Sequence, residues 1–152
     1  MKLDIGGEQE IKVNQDRLWQ ALNDPEMLSK CVPGCKEMIE TTQDAYKVTL
    51  ELKVAAVGGS FEGEIALSDK QAPEVCRISV SGEGTLGHGT GDAMFQIIPD
   101  GPNRCKLKYE GKGEIGGLVA GVGQRVLGGV SKHLIKRFFK ALDSELNTVP
   151  IP

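Results

Sequence analysis

The stretch "GGLVAGVGQRVLGGVSKHLIKRFFKAL", Gly116 to Leu142, decides the fold, because it is the one segment with helical periodicity long enough to cover a sheet. Its second half is an ordinary amphipathic helix; its first half is heavy with glycine. A glycine in a helix interior costs about 1 kcal/mol relative to alanine, so Gly121, Gly123, Gly128 and Gly129 together cost roughly 4 kcal/mol. Against a net stability of about 5–15 kcal/mol that sum requires a reason. Either something approaches the helix backbone closely, or space is left open beside it.

Outward from this segment the pattern changes to period two. Leu3, Ile5 and Ile11 alternate with Lys2, Asp4, Glu10 and Lys12; Tyr46, Val48, Leu50, Leu52 and Val54 alternate with Lys47, Thr49, Glu51 and Lys53. The alternation recurs through Phe61, Ile65 and Leu67, through Cys76, Ile78 and Val80, through "DAMFQII", and through Cys105, Leu107 and Tyr109. Each run is a strand with one wet face. Turns such as "GGS" (Gly58–Ser60) and "DGPN" (Asp100–Asn103) favour antiparallel hairpins, so the strands form a meander. Two short helices interrupt it, Asp16 to Leu22 and a second beginning at Pro25 behind the capping residue Asp24. An antiparallel sheet must bury its apolar face, and the terminal helix, predicted from about Gly117 to Leu146, is what can cover it. The expected class is α+β: a curved sheet gripping one helix, in a single domain spanning residues 1–152.

Composition narrows the functions. A net charge of −3 offers no electrostatic case for nucleic acid, and 39% hydrophobic with 26% charged residues is globular, not disordered. The opening "MKLDIGGEQEIKV" lacks the apolar core of a signal peptide, and the apolar run Ile115–Gly123 is shorter than the ~20 residues of a membrane span. A cytoplasmic location is expected, with free thiols at Cys31, Cys35, Cys76 and Cys105. "CVPGC" (Cys31–Cys35) has no second pair to complete a zinc site and reads as a Pro-Gly turn, so no metal is expected. "GEGTLG" (Gly82–Gly87) matches a dinucleotide fingerprint in letters only, because a strand follows where a helix is needed; bulges and tight turns account for its glycines. His88 and His133 have no nearby partner in sequence, and no catalytic residue is assigned.

At 100° per residue, Gly117, Gly121, Gln124, Gly128, Ile135, Phe139, Leu142 and Leu146 share one stripe. Its C-terminal part can fill the space above the sheet, while its N-terminal part offers almost no side chain. Close backbone packing and an apolar cavity for a hydrophobic small molecule are the two readings of that emptiness. Val119, Val122, Val126 and Val130 lie on the other side. On a straight helix they face outward as a surface for a partner or membrane; a kink at Gly128–Gly129 turns them inward. Lys132, Lys136 and Lys140 form a basic edge, read either as a solvated face complementing the helix dipole or as a contact for anionic lipid.

"RLWQALNDPEMLSKCVPGCKEM", "FEGEIALSD" and "GEIGGLVAGVGQRVLGGVSKHLIKRFFKAL" together resemble the CoxG family of carbon monoxide dehydrogenase subunits, within the helix-grip superfamily of START and Bet v 1-like domains. The resemblance implies a seven-stranded curved antiparallel sheet around a long C-terminal helix, with two short helices between the first two strands. It also implies an apolar cavity for a quinone- or lipid-like molecule, no cofactor, and service to a molybdenum hydroxylase-type dehydrogenase at the inner face of the membrane. Some members of that family continue into a C-terminal tail; here a membrane role is expected of the folded surface. Leu50, Leu52, Phe61, Ile65 and Tyr109 are expected to line one wall, and Gly117, Leu118 and Gly121 the other. Trp19, Leu22 and Pro33 are placed at the entrance. A docking module without ligand is one rival; a cyclase or hydrolase using His88, Asp92 and Tyr109 is another.

Overall fold

A computed structural model of the chain describes residues 1–53 and 58–147; Val54, the end of one alternating run, lies outside them. Seven strands make one antiparallel sheet: β1 (Lys2–Ile11), β2 (Cys35–Thr42), β3 (Ala45–Leu52), β4 (Gly59–Gln71), β5 (Val75–Gly84), β6 (Gly87–Pro99) and β7 (Cys105–Gly116). Their spatial order is β1-β7-β6-β5-β4-β3-β2. Strands β2 to β7 therefore run as a meander, and β1 departs from it by crossing to the far edge beside β7, where Ile5 faces Gly111. Alternation sets which face is buried: Tyr46 and Val48 of β3, Phe95 and Ile97 of β6, and Cys105 and Leu107 of β7 all enter the core.

Helices α1 (Gln15–Leu22) and α2 (Pro25–Cys31) bridge β1 and β2. The Asn14 side chain accepts from the Arg17 amide (2.9 Å) and Asp24 from the Glu26 amide (3.0 Å), so each helix starts at a side chain that satisfies an orphan donor. Helix α1 is pinned to the C-terminal part of β6, where Gln15 Nε2 donates to the Ile97 carbonyl (3.0 Å). All four cysteines are free thiols, and Cys76 and Cys105 are fully buried. Burial pushes the Cys31 thiol from the ordinary 9.0 up to about 11, and raises those of Cys35, Cys76 and Cys105 as well.

The terminal helix is shorter than its sequence pattern. A 3-10 turn, Leu118–Val122, precedes the α-helix α3, Gln124–Asn147, which is about 36 Å long. Gly117 (φ 88°) and Gly123 (φ 94°) bracket that turn in a backbone region closed to other residues, and this breaks the 100° phase. The Leu127 amide then donates to the Gly123 carbonyl (3.1 Å), and α3 runs unbroken through Gly128 and Gly129; of the two alternatives for that stretch, straight or kinked, α3 takes the straight one, and the break lies before it at Gly123. Its C-terminal half seats Phe139, Leu142 and Leu146 in the core. Lys132, Lys136 and Lys140 are exposed, but the last turn of α3 holds no basic residue, so they do not offset the dipole there.

Candidate functional site

The glycines of the terminal segment divide by what surrounds them. At Gly117 a Cβ would come within 2.6 Å of the Gly87 Cα, a true close approach. At Gly121, Gly123, Gly128 and Gly129 a Cβ would meet nothing within 4 Å. Close backbone packing therefore accounts for Gly117 and not for these four, of which Gly121 and Gly129 stand exposed and Gly123 and Gly128 are half-buried.

A chamber of about 440 Å³ does lie between the first half of α3 and the inner sheet face, but it is Leu127, Val130, Ser131 and Leu134, and none of these four glycines, that border it. Leu50, Leu52, Phe61, Ile65 and Val80 form one wall, and Leu127, Val130, Ser131 and Leu134 of α3 form the other. Its floor is nearly bare backbone. Gly63 pairs with Gly82, and Gly82 with Gly89, so one row across three strands carries no side chain. In the next inward row Val80 pairs with Gly91, and Gly91 with Gly113. At inter-strand spacings of about 4.8 Å the first row is a flat strip about 10 Å wide. A second lobe of about 340 Å³ reaches toward Leu3, Ile5 and Ile78 and shares Val80, Gly113, Ser131 and Leu134 with the first. Val80 is consequently 41% exposed although it points inward.

The chamber is almost free of polar side chains. Glu62, Glu64, Ser81 and Thr90 border it through backbone, because they alternate with the inward positions and stand exposed on the outer face. Among the described residues, no lysine or arginine lines the chamber. Ser131 is the exception among polar residues. It sits one turn after Leu127 and one before Ile135 on the stripe that continues through Phe138 to Leu142, where an aliphatic residue is the rule. Among the described residues its hydroxyl has no hydrogen-bond partner, not even the Leu127 carbonyl, to which a mid-helix serine can donate.

The other residues singled out from sequence lie elsewhere. Gly117 and Gly121 do not border the chamber, and Leu118 points away from it at 78% exposure; the helix break moved their phase. Trp19 packs tilted against Phe95 (ring centroids 6.1 Å apart) and Leu22 is core, both at the end filled by the C-terminal half of α3. Pro33 is in the turn before β2, where the neighbouring Gly34 packs near Leu52. Tyr109 leans on Phe139 (5.5 Å) and lies over Gly7, outside the chamber wall. Of the valine row, Val119 and Val130 line the chamber, Val122 is half-buried and Val126 is 44% exposed, so the row is neither wholly outward nor wholly inward. His88 stands exposed at the chamber edge with its ring against Gly116, and Asp92 is held by Arg77 Nε (3.0 Å) on the outer face. With Tyr109 on the core side, these three residues do not converge on one point.

Sequence reasoning missed Val80, the floor glycines and Ser131. The signal was present: Gly63, Gly82, Gly89, Gly91 and Gly113 each fall in phase with inward residues of their own strand. Reading "GEGTLG" as bulges and tight turns fits the tight turn between Gly84 and Gly87, but it passed over the inward phase of Gly82.

Comparison with known proteins follows the same outline. A conserved protein from Geobacillus kaustophilus superposes with a TM-score of 0.92 at 37% identity, over 94% of each chain. A START superfamily protein from Mycobacterium smegmatis reaches 0.77 at 14% identity, over 97% of this chain and 99% of that one. Norcoclaurine synthase from Thalictrum flavum, solved with dopamine and hydroxybenzaldehyde, reaches 0.70 at 13% identity, over 100% and 90%. The last two likenesses show a shared fold. No curated protein matches the sequence. The family profile of CoxG, the G subunit of carbon monoxide dehydrogenase, matches residues 7–147. With that match running from within β1 through the other six strands, both short helices and the whole of α3, the chain belongs to the CoxG family of carbon monoxide dehydrogenase subunits.

Proposed function

We propose that this protein is a non-enzymatic carrier that holds a quinone- or lipid-like molecule in the chamber under α3, as an accessory to a molybdenum hydroxylase-type dehydrogenase. The observation that carries the reading is the chamber itself: walls of aliphatic and aromatic side chains, a bare floor, and a volume in the range of small-molecule sites. Family membership supports the enzyme partner, and the START-like fold supports a hydrophobic ligand. Native mass spectrometry of protein purified from membrane-containing cells should show a bound hydrophobic species, and titration with a quinone analogue should saturate at one equivalent. Absence of both overturns the carrier reading.

A second role has its own observation. Leu118 (78% exposed) and Val126 (44% exposed) are large apolar residues beside the start of α3, and Lys132, Lys136 and Lys140 are exposed further along the same helix. We infer a peripheral contact with an anionic membrane surface through this end of the molecule, which brings the chamber to the source of a lipid-soluble ligand. No helix among the described residues is long and apolar enough to cross a membrane. The double variant Leu118→Asp, Val126→Asp should cut co-sedimentation with phosphatidylglycerol vesicles about fivefold and leave ligand titration unchanged. Undiminished co-sedimentation removes the membrane role from this surface.

A further inference from the structure

We infer that Ser131 is the specificity-determining residue of the chamber, and that the ligand it selects is an uncharged, flat molecule carrying a hydrogen-bond acceptor oxygen. The inference rests on the carrier reading and goes beyond it by naming a residue and a chemical class.

Three observations converge. The Ser131 hydroxyl is a polar group on the otherwise apolar stripe of α3 between Leu127 and Leu142, and no atom of the described residues satisfies it. A serine in that place gives up the apolar contact that a leucine or alanine makes, and leaves a donor to be desolvated when the chamber fills. Its position is central, because Ser131 is among the few residues that line both lobes. Opposite it lies the glycine floor, where Gly63, Gly82 and Gly89 form a strip with no side chain to interrupt a planar face.

The charge of the walls excludes the other broad class of apolar ligand. A fatty acid or other amphiphilic anion brings a carboxylate that needs a cation or several donors once it leaves water. Among the described residues the chamber offers no lysine or arginine, and Lys112 at the second lobe alternates with Gly111 and Gly113 and stands exposed on the outer face. One neutral hydroxyl matches one neutral carbonyl, ether or hydroxyl oxygen. The floor then takes the flat part of the ligand, and apolar substituents extend into the lobe bounded by Leu3, Ile5 and Ile78.

Two probes that differ only in oxygen separate this assignment from simple hydrophobic filling: a dimethylated naphthoquinone, with its ring carbons blocked against thiol attack, and the corresponding dimethylnaphthalene. Laurate serves as the anionic probe. Each is titrated against the wild-type chain, Ser131→Ala and Ser131→Thr by tryptophan fluorescence and calorimetry. The expected result is a roughly fivefold to tenfold loss of quinone affinity in Ser131→Ala, as for one uncharged hydrogen bond. Hydrocarbon affinity should stay the same, Ser131→Thr should restore quinone binding, and laurate should bind more weakly than the quinone. Alanine is the better helix former, so Ser131→Ala will fold. Equal quinone affinity in wild type and Ser131→Ala overturns the Ser131 assignment while the carrier reading stands. Tighter binding of laurate overturns the uncharged class. Failure of the wild type to bind any probe removes the carrier reading and this inference with it.

Discussion

Replacing Val80 with tryptophan is expected to lower ligand affinity by about 100-fold while leaving the fold intact. Val80 projects from the middle of β5 into both lobes, beside Gly91, and it is the inward residue with the least packed around it. An indole there extends into empty volume instead of colliding with a filled core, so the overpacking penalty of about 1–3 kcal/mol seen in tight cores should be largely avoided. What it removes is the ligand's own space, and a loss of about 2.8 kcal/mol in binding free energy is a 100-fold change. Titration of the variant with the quinone analogue, alongside urea denaturation, checks both halves. Full affinity in a folded Val80→Trp protein would place the ligand somewhere other than this chamber.

Leu142→Ala should destabilise the protein by about 3 kcal/mol, within the range measured for buried leucines, and lower Tm by roughly 6–12 °C for a chain of this size. Leu142 is 0% exposed and lies where α3 closes on the core. Two turns earlier on the same helix, Leu134 is half-buried and borders open space in both lobes, so Leu134→Ala should cost only about 1 kcal/mol. The two substitutions delete the same atoms from one helix. Urea denaturation of the pair therefore measures the division of α3 into a packed half and a held-off half, and equal losses would show that the chamber is filled by protein in solution.

Much of the architecture was legible because its signals are local. Alternation such as Tyr46-Lys47-Val48-Thr49 marks a strand with one buried face wherever it occurs, and Asp24-Pro25 marks a helix start by hydrogen bonding and a preset φ. Pairing of β1 with β7 was not legible, since it joins residues more than 90 positions apart and no local pattern records it. Nor was the start of α3. Helical periodicity extrapolates through glycine, yet glycine is the residue able to take the positive φ that ends the periodicity at Gly117 and Gly123.

The site followed the same division. Leu50, Leu52, Phe61 and Ile65, placed in the chamber wall by the structure, were readable from the phase of β3 and β4. Leu118, Gly121 and Trp19 were misplaced because their assignment relied on a helix phase or on closeness to an entrance that the chain does not build there. Ser131 was overlooked because a serine on a helix is ordinary until the helix has a direction, and the floor was overlooked because its signal is the absence of side chains.

That floor makes the chamber adjustable by single methyl groups. A Cβ at Gly82 would meet only ordinary contact with the Glu62 carbonyl (3.5 Å), and one at Gly113 would sit slightly tight against the Thr90 carbonyl (3.2 Å). At Gly63 it would collide with the Ser81 carbonyl, so that position is fixed by the backbone. A lineage can therefore reshape the chamber in small steps, Gly to Ala at the permissive positions, while strand order, helix seating and the Leu142 core stay as they are. Selection for a new cargo would leave its trace in the count of missing β-carbons.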